Sequence, residues 1–295
     1  MPKNLKIGVV GIADGASTQT LLDRVEAATG HRCFIDMGAV TTDLARGTVT
    51  AGELDLTTLD AIIVKKIAAE YSPAVNDRLE QLASLRHRGV PIYSDPDRML
   101  RLVNRLTNTL ELAGAGIPMP PTVLTENLEA AMATVERFGA AVAKPLYTSK
   151  ARGMTVLRPG PTLREDLVRY QADNSLIYLQ QFMDLPGRDL GVVFLGGQYL
   201  ACYARVSGGK SWNTTTRDGG HYEAAEPSDE IVDLGARAAA VFGLDFTCVD
   251  VVETELGPQV LEVSAFGGFR GLSEACGIDA AQRLVDYVIA ERDRD

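Results

Sequence analysis

With 295 residues, the chain is long enough for one multi-lobed domain or two ordinary ones, and its apolar share supports a real core. A formal net charge of −10 without any polybasic run argues against a general nucleic-acid surface. No segment reaches the apolar length of a membrane span, and Cys33, Cys202, Cys248 and Cys276 lack metal or redox spacing, so a reducing cytoplasm is the expected location.

The N-terminus, MPKNLKIGVVGIADG, has no long apolar signal region, and LKIGVVGI is short enough for a first strand. Leu21, Leu22, Val25 and Ala28 give residues 18–29 a helical spacing. LDAIIVK (residues 59–65) reads as a second buried strand, residues 75–87 as a helix after YSP, and GVPIYSD as a third strand. This alternation predicts a parallel sheet with crossover helices. Gly8, Gly11 and Gly15 do not have dinucleotide-fingerprint spacing, so GVVGIADGAS is read as a tight strand-to-helix turn.

A domain boundary is expected near Asp95, where SDPDRMLRLVNRLTNTLELAGAGIPMPPT opens with a cap and a proline at the start of one helix, ending at glycines before a proline-rich link. Residues 126–138 read as a helix, AVAKP (residues 141–145) as a strand ending at Lys144, YTSKARGM as a polar loop and TVLRP as the following strand. Residues 176–183 form an apolar strand, and residues 190–205 a hairpin turning at Gly196 and Gly197. Residues 207–222 make a long glycine- and threonine-rich loop, of a length usually reserved for function or mobility. A helix over 231–242, a hairpin and a closing helix over 280–292 complete the chain.

That hairpin, FTCVDVVETELGPQVLEVSAFGGFRG, carries the most chemistry. With its turn centred near Leu256, Asp250 and Glu262 fall opposite each other across the ladder, and Ser264 shares the face of Glu262. Cys248 and Val252 flank Asp250 on one face, while Thr247, Val249 and Val251 occupy the other, which describes a strand covered on both sides. Two readings stand: a polar hairpin whose acids reach water at its rim, or a hard-metal site holding Mg²⁺ shared with nucleotide phosphates. Lys144 is either a solvated strand-end charge or a neutraliser of phosphate oxygens. The loop over residues 147–154 is either an ordinary flexible connection or a phosphate cover. In LQQFMDLPGRDLG, the backbone of Gln181, Phe182 and Met183 could pair with an adenine edge and Asp189 with ribose hydroxyls. Arg205 is either a surface arginine or a stabiliser of charge on a transferred phosphoryl group. His31, His87 and His221 share no metal-cluster spacing.

These pieces, in this order, resemble the ATP-grasp superfamily and its RimK-type carboxylate–amine ligases. The matching runs are NRLTNTLELAGAGIPMPPT, AVAKPLYTSKARGM, LQQFMDLPGRDLGVVF, YARV, NTTTRDGG, GLDFTCVDVV and LEVSAFGGFRG, about two thirds of the chain. SKARGM and EVSAFGGFRG also resemble the ATP-grasp branch named for the GAK gene system. The resemblance implies an α/β ATP-grasp fold with an N-terminal parallel-sheet pre-ATP-grasp domain over residues 1–95. The ATP-grasp domain would cover 96–295, with a smaller nucleotide-covering lobe (96–184) and a larger metal-binding lobe (185–295).

For the site, the resemblance implies nucleotide contacts from Arg105, Lys144, Ser149, Lys150, Arg152, Gly153, Gln181, Phe182, Met183, Asp189, Asn213 and Thr215. Lys144 and Arg205 would act catalytically, and Asp250, Glu262 and Ser264 would bind Mg²⁺, with Mn²⁺ as a substitute. Three positions depart from the family pattern. Its first nucleotide lysine, usually after an aspartate, falls on Arg105 after Asn104. Its arginine–x–asparagine falls on Asn213, Thr214 and Thr215, and its third metal ligand, an asparagine, is Ser264. The implied activity is ATP- and Mg²⁺-dependent ligation of a carboxylate to an amine or thiol through an acylphosphate. The carboxylate and the amine would be small molecules or a peptide or protein tail, with no nucleic acid or membrane as partner; a homo-oligomer is compatible with the family. The alternatives are an ATP-binding regulatory protein without turnover and a kinase-like phosphoryl transferase.

Overall fold

The computed structural model describes residues 4–148, 151–183, 185, 187–209, 214 and 219–294. The chain opens with β1 (Ile7–Val10), α1 (Ala16–Thr29), β2 (Cys33–Ile35), β3 (Val40–Asp43), β4 (Thr48–Ala51), β5 (Leu54–Asp55), β6 (Ala61–Val64), α2 (Ala74–His87) and β7 (Ile92–Tyr93). Four of these strands form a parallel sheet in the order β2-β1-β6-β7. Both faces of such a sheet are covered, which is why its central strands are continuous apolar runs. Val10, Ile62 and Val64 enter one core cluster, and Ile7, Val9, Ala61 and Ile63 enter another on the opposite face.

The expected three strands are therefore four, and a further antiparallel sheet, β3-β4-β5, follows β2. Neither addition announces itself in sequence: CFI is three residues long, while VTTD and TVTA offer one valine each. The single helix expected after Asp95 is two, α3 (Pro96–Val103) and α4 (Arg105–Gly114). Asn104 adopts an extended backbone between them (φ −98, ψ 119), and its side-chain oxygen accepts from the Leu106 amide at 2.9 Å. One residue thus ends the first helix and caps the second, placing Arg105 at the first position of α4.

Next come β8 (Thr122–Thr125), α5 (Leu128–Phe138), β9 (Ala141–Ala143), β10 (Thr155–Leu157), α6 (Leu163–Asp173) and β11 (Ile177–Gln181). Their strands form an antiparallel sheet, β10-β9-β11-β8, with a core of its own around Ala131, Val135, Leu167 and Leu179. The chain ends with β12 (Arg188–Leu195), β13 (Gln198–Val206), β14 (His221–Ala224), α7 (Asp229–Phe242), β15 (Phe246–Thr254), β16 (Gly257–Val263), α8 (Arg270–Cys276) and α9 (Ala280–Arg292). The third major sheet runs β14-β13-β12-β15-β16. The loop expected to reach Tyr222 gives way to β14, where His221 already pairs with Val206.

The first and third major sheets share their cores. Val192, Val249 and Val251 join the cluster of Val10, while Val193, Tyr203 and Cys248 join that of Ile7. Helix α9 packs on α1, where Arg24 meets Asp279 at 2.8 Å. All four cysteines are free, and among the described residues no helix is long and apolar enough to cross a membrane.

Two glycines fix the packing beneath the site. Tyr203 is buried, and its ring lies so close to Gly191 and Gly271 that a Cβ added at either would approach ring carbons to 2.6 or 2.5 Å. Gly191→Ala is expected to cost about 1–3 kcal/mol through overpacking, read as a lowered unfolding midpoint. Gly160→Ala, where nothing lies within 4 Å, should leave the midpoint nearly unchanged.

Candidate functional site

The two acids of the hairpin do face each other: Asp250 and Glu262 are Cα partners across β15 and β16. The route to that pairing differs from the expected one. The turn is tighter, with Thr254 opposite Gly257, and a register shift between Asp250 and Val251 then brings Glu262 into line. Such a bulge re-aims side chains next to it. Both faces of β15 are covered, as expected, since Val249 and Val251 enter one core and Phe246 and Cys248 the other. Asp250 lies at the edge of the second.

Arg205 is no surface arginine. On β13 it pairs directly with Asp189 of β12, and its Nε donates to Asp189 Oδ2 at 2.8 Å while a terminal nitrogen contacts the same oxygen. That terminal nitrogen also lies 2.8 Å from Asp250 Oδ1. The guanidinium therefore bridges carboxylates from two strands. Burial disfavours its charge, but Asp189 and Asp250 outweigh burial and hold its pKa well above the usual arginine range. Burial also pushes the Asp250 carboxyl up; Arg205 opposes this, and Glu262 and Asp189 reinforce it. Asp189, expected at a ribose, is itself buried and also accepts from the Thr214 hydroxyl, so both of its oxygens are engaged within the protein.

Facing this sheet are cations from α4 and β9. Arg105 is 8% exposed and lies 3.6 Å from Glu262, with further donors to the Pro145 and Thr148 carbonyls. Its guanidinium clamps the base of the loop that follows β9. Lys144, just beyond β9, donates to Gln180 Oε1 at 2.5 Å. Burial and neighbouring Arg105 push its ammonium pKa down to about 8, although Glu262 and Asp250 pull the other way. Arg152 reaches Glu70 at 3.5 Å, and Gly153 takes a positive φ of 66°. Gln181 closes β11; its amide donates to Pro121 O and that of Phe182 to Ala140 O. The Phe182 ring lies under the Arg158 guanidinium, and Met183 follows directly in the chain. Ser149, Lys150, Asn213 and Thr215 lie outside the described residues.

Ser264 follows β16, where its amide donates to Cys248 O and its carbonyl accepts from Thr247 Oγ1. Among the described residues, no group of three or more His, Cys, Asp or Glu side chains could hold a metal ion. A cation here would rest on two carboxylates together with oxygens from a ligand.

Residues absent from the expected site also converge on it. Asn108 of α4 donates to Val263 O at 2.8 Å, and Tyr71 packs edge-on against Phe266. Lys65, at the end of β6, reaches the backbone of the same segment. The sequence marks only Lys65, as a lysine closing a buried strand of a parallel sheet, where ligands of such sheets gather.

The RimK-like ATP-grasp domain profile matches residues 104–288. The tetrahydromethanopterin:alpha-L-glutamate ligase of Methanosarcina acetivorans is 27% identical over 266 residues, spanning 81% of this chain and 82% of that protein. The glutamate–LysW ligase ArgX of Sulfolobus acidocaldarius is 26% identical over 214 residues, spanning 70% and 75%. The solved structure of the ATP-grasp ligase PsnB, complexed with a phosphomimetic variant of its minimal precursor, Mg and ADP, superposes with a TM-score of 0.76 at 22% identity over 98% of this chain and 99% of that one. D-cycloserine synthetase DcsG superposes at 0.75 with 17% identity, over 97% and 99%.

Proposed function

The chain belongs to the RimK-like ATP-grasp domain family and is an ATP-dependent carbon–nitrogen ligase; we propose that it activates a carboxylate as an acylphosphate and transfers it to an amine, in a cleft between the third major sheet and the β8–β11 sheet. The observation carrying this reading is the convergence on one site of Asp189, Arg205, Asp250 and Glu262 from one side and Arg105 and Lys144 from the other. In this reading residues 1–95 form the pre-ATP-grasp domain, 96–184 the nucleotide-covering lobe and 185–295 the metal lobe. We place the protein in a reducing cytoplasm.

The residues fit Mg²⁺. Asp250 and Glu262 face each other across the hairpin, and Glu262 adds to the burial that raises the Asp250 carboxyl, a repulsion that a cation between them would relieve. Hard oxygen donors in this number suit an ion that keeps waters and shares phosphates with its protein ligands. Asp250 and Glu262 would hold it, with Ser264 beside them. When bound, the ion would neutralise charge on the phosphoryl oxygens.

Each side chain then has a task. Lys144 binds phosphate as a point charge, and the loop clamped by Arg105 shields the site from water. Gln181 and Phe182 already spend their amides internally, so the Met183 amide and the hinge carbonyls are what remain for adenine. Asp189 would need to exchange its Thr214 partner to accept from ribose. Arg205, fixed by two carboxylates, keeps a rigid positive charge beside the transferred group. A substrate carboxylate oxygen attacks the γ-phosphorus and ADP leaves. The amine nitrogen then attacks the acyl carbon, phosphate departs, and the nitrogen's proton passes to phosphate or water.

An ADP-release screen over amino acids, peptides and cofactor-like acids, with mass detection of product, tests this reading. Because the relatives named above act with glutamate, it belongs on the panel both as acid and as amine. The expected product is an amide. A stable phosphorylated product would favour phosphoryl transfer alone, a thioester would move the acceptor to a thiol, and binding without ADP formation would overturn turnover.

A further inference from the structure

Lys65 is 5% exposed, although it is a lysine at the end of the parallel sheet rather than a member of any ion pair described above. Its Nζ donates to Phe266 O at 2.8 Å and Gly267 O at 2.5 Å, and it stands 4.1 Å from the centre of the Phe269 ring. Burial and adjacent Lys66 push its ammonium pKa down to about 7, so enclosing this group opposes its charge. A methionine would fill the same space without desolvating an ion. What the lysine adds is a pair of directed hydrogen bonds and a cation held against an aromatic face.

Those contacts fall on the segment by which the chain leaves β16, within a few residues of Glu262. The same segment is held by Asn108 at Val263 O and by Thr247 at Ser264 O. Phe266 packs edge-on against Tyr71, and Phe269 against Phe246 with ring centres 5.5 Å apart. Gly267 passes so close to Phe246 that a Cβ there would come within 2.4 Å of its ring. The backbone carbonyls after Glu262 are thus tied in turn to α4, to β15 and, through Lys65, to the end of the N-terminal sheet.

We propose that Lys65 is a positioning residue, whose ammonium clamps the Phe266 and Gly267 carbonyls and so fixes Glu262 and Ser264 in the arrangement that receives a divalent cation with the nucleotide. The inference rests on the assignment of Asp250 and Glu262 as the Mg²⁺ end of the cleft. It makes the N-terminal sheet part of the metal site's support.

The test is calorimetric binding of ADP to the full chain, with Mg²⁺ and with chelator, in wild type, Lys65→Met and Phe269→Leu, alongside thermal unfolding. Wild type should bind ADP more tightly with Mg²⁺. Lys65→Met should lose at least tenfold of that Mg²⁺-dependent gain while keeping its chelator-state affinity within about threefold, with an unfolding midpoint near wild type, since relief of a buried charge offsets the two carbonyls deprived of their donor. Phe269→Leu, which keeps the lysine but removes the ring beneath it, should lose about threefold of the gain. That variant decides the matter should Lys65→Met not fold. A merely structural lysine would lower the midpoint and leave the Mg²⁺-dependent gain intact, and that result overturns the proposal. A wild-type protein with no Mg²⁺-dependent gain would instead overturn the metal assignment, and the role of Lys65 with it.

Discussion

Glu262→Gln is expected to lower acceptor-dependent ADP release by about a thousandfold, the rate equivalent of about 4 kcal/mol of charge stabilisation in the transition state. The substitution keeps the shape of the side chain and removes only its charge. Glu262 is 40% exposed at the side chain, and Arg105, its cation partner among the described residues, is 3.6 Å away and has two loop carbonyls as other partners. Folding should therefore be little affected, and the unfolding midpoint should stay near wild type. Asp250→Asn should abolish turnover to the same degree but also destabilise the protein. It deprives Arg205 of one of its two carboxylates, and uncovering a buried charge is costly even when a second partner, Asp189, remains. Steady-state ADP release, midpoints and chelator-state ADP affinity together check the pair. Turnover within tenfold of wild type in both variants would remove these acids from the metal site.

The facing of Asp250 and Glu262 was legible in sequence because period-two alternation and a turn at Glu255 and Leu256 nearly suffice to pair them. The turn length alone would have paired Asp250 with Leu261, and only the bulge corrects it. A bulge is a local backbone choice with no apolar signature, so the pairing could be foreseen and its cause could not. The fully buried strands β1 and β6 and helices α2, α5 and α9 were similarly evident from their apolar residues. Strands β3 to β5 were not, since short runs of threonine and single valines owe their conformation to cross-strand partners distant in periodicity. The break at Asn104 was hidden for a different reason: the helical spacing runs through it, and a capping side chain overrides the pattern.

The same contrast separates the charges of the site. Lys144 and Arg205 could each be picked out by their place at a strand end, yet nothing local told whether they were solvated. That depends on Asp189, Asp250 and Gln180, which lie on strands brought alongside by the fold. Arg105 shows the limit most clearly. Its position in the chain suggested a nucleotide cation, whereas its guanidinium is directed largely at the Pro145 and Thr148 carbonyls. A planar fork with several donors can hold a loop and a carboxylate together, which a lysine's compact ammonium does less well. The exchange of the family's lysine for Arg105 thus fits a clamp on the loop base, leaving Lys144 as the cation suited to phosphate.

Nucleotide affinity should consequently depend on the protonation of Lys144. Its pKa in the free protein is pushed down to about 8, chiefly by burial and then by Arg105. A polyphosphate placed beside it favours the charged form, so binding raises the pKa. Below pH 7 the lysine is charged before and after binding and adds no pH dependence of its own to ADP affinity. Above pH 8 the free protein must first take up a proton, so affinity should fall by up to about tenfold per pH unit until the bound-state pKa is reached. Calorimetry in two buffers of different ionisation enthalpy should detect proton uptake at pH 8.5 that Lys144→Met lacks. Lys144→Met should weaken ADP binding about thirtyfold at pH 7, the loss of a charge-assisted hydrogen bond worth about 2 kcal/mol, and should flatten the alkaline limb. Stability moves in the opposite sense. Between the folded-state value near 8 and the unfolded-state value near 10.5, the unfolded chain holds more of this proton. Rising pH therefore stabilises wild type relative to Lys144→Met across that window, while it weakens the hold on nucleotide. Affinity independent of pH from 7 to 9.5 in wild type would show that Lys144 does not meet the phosphates.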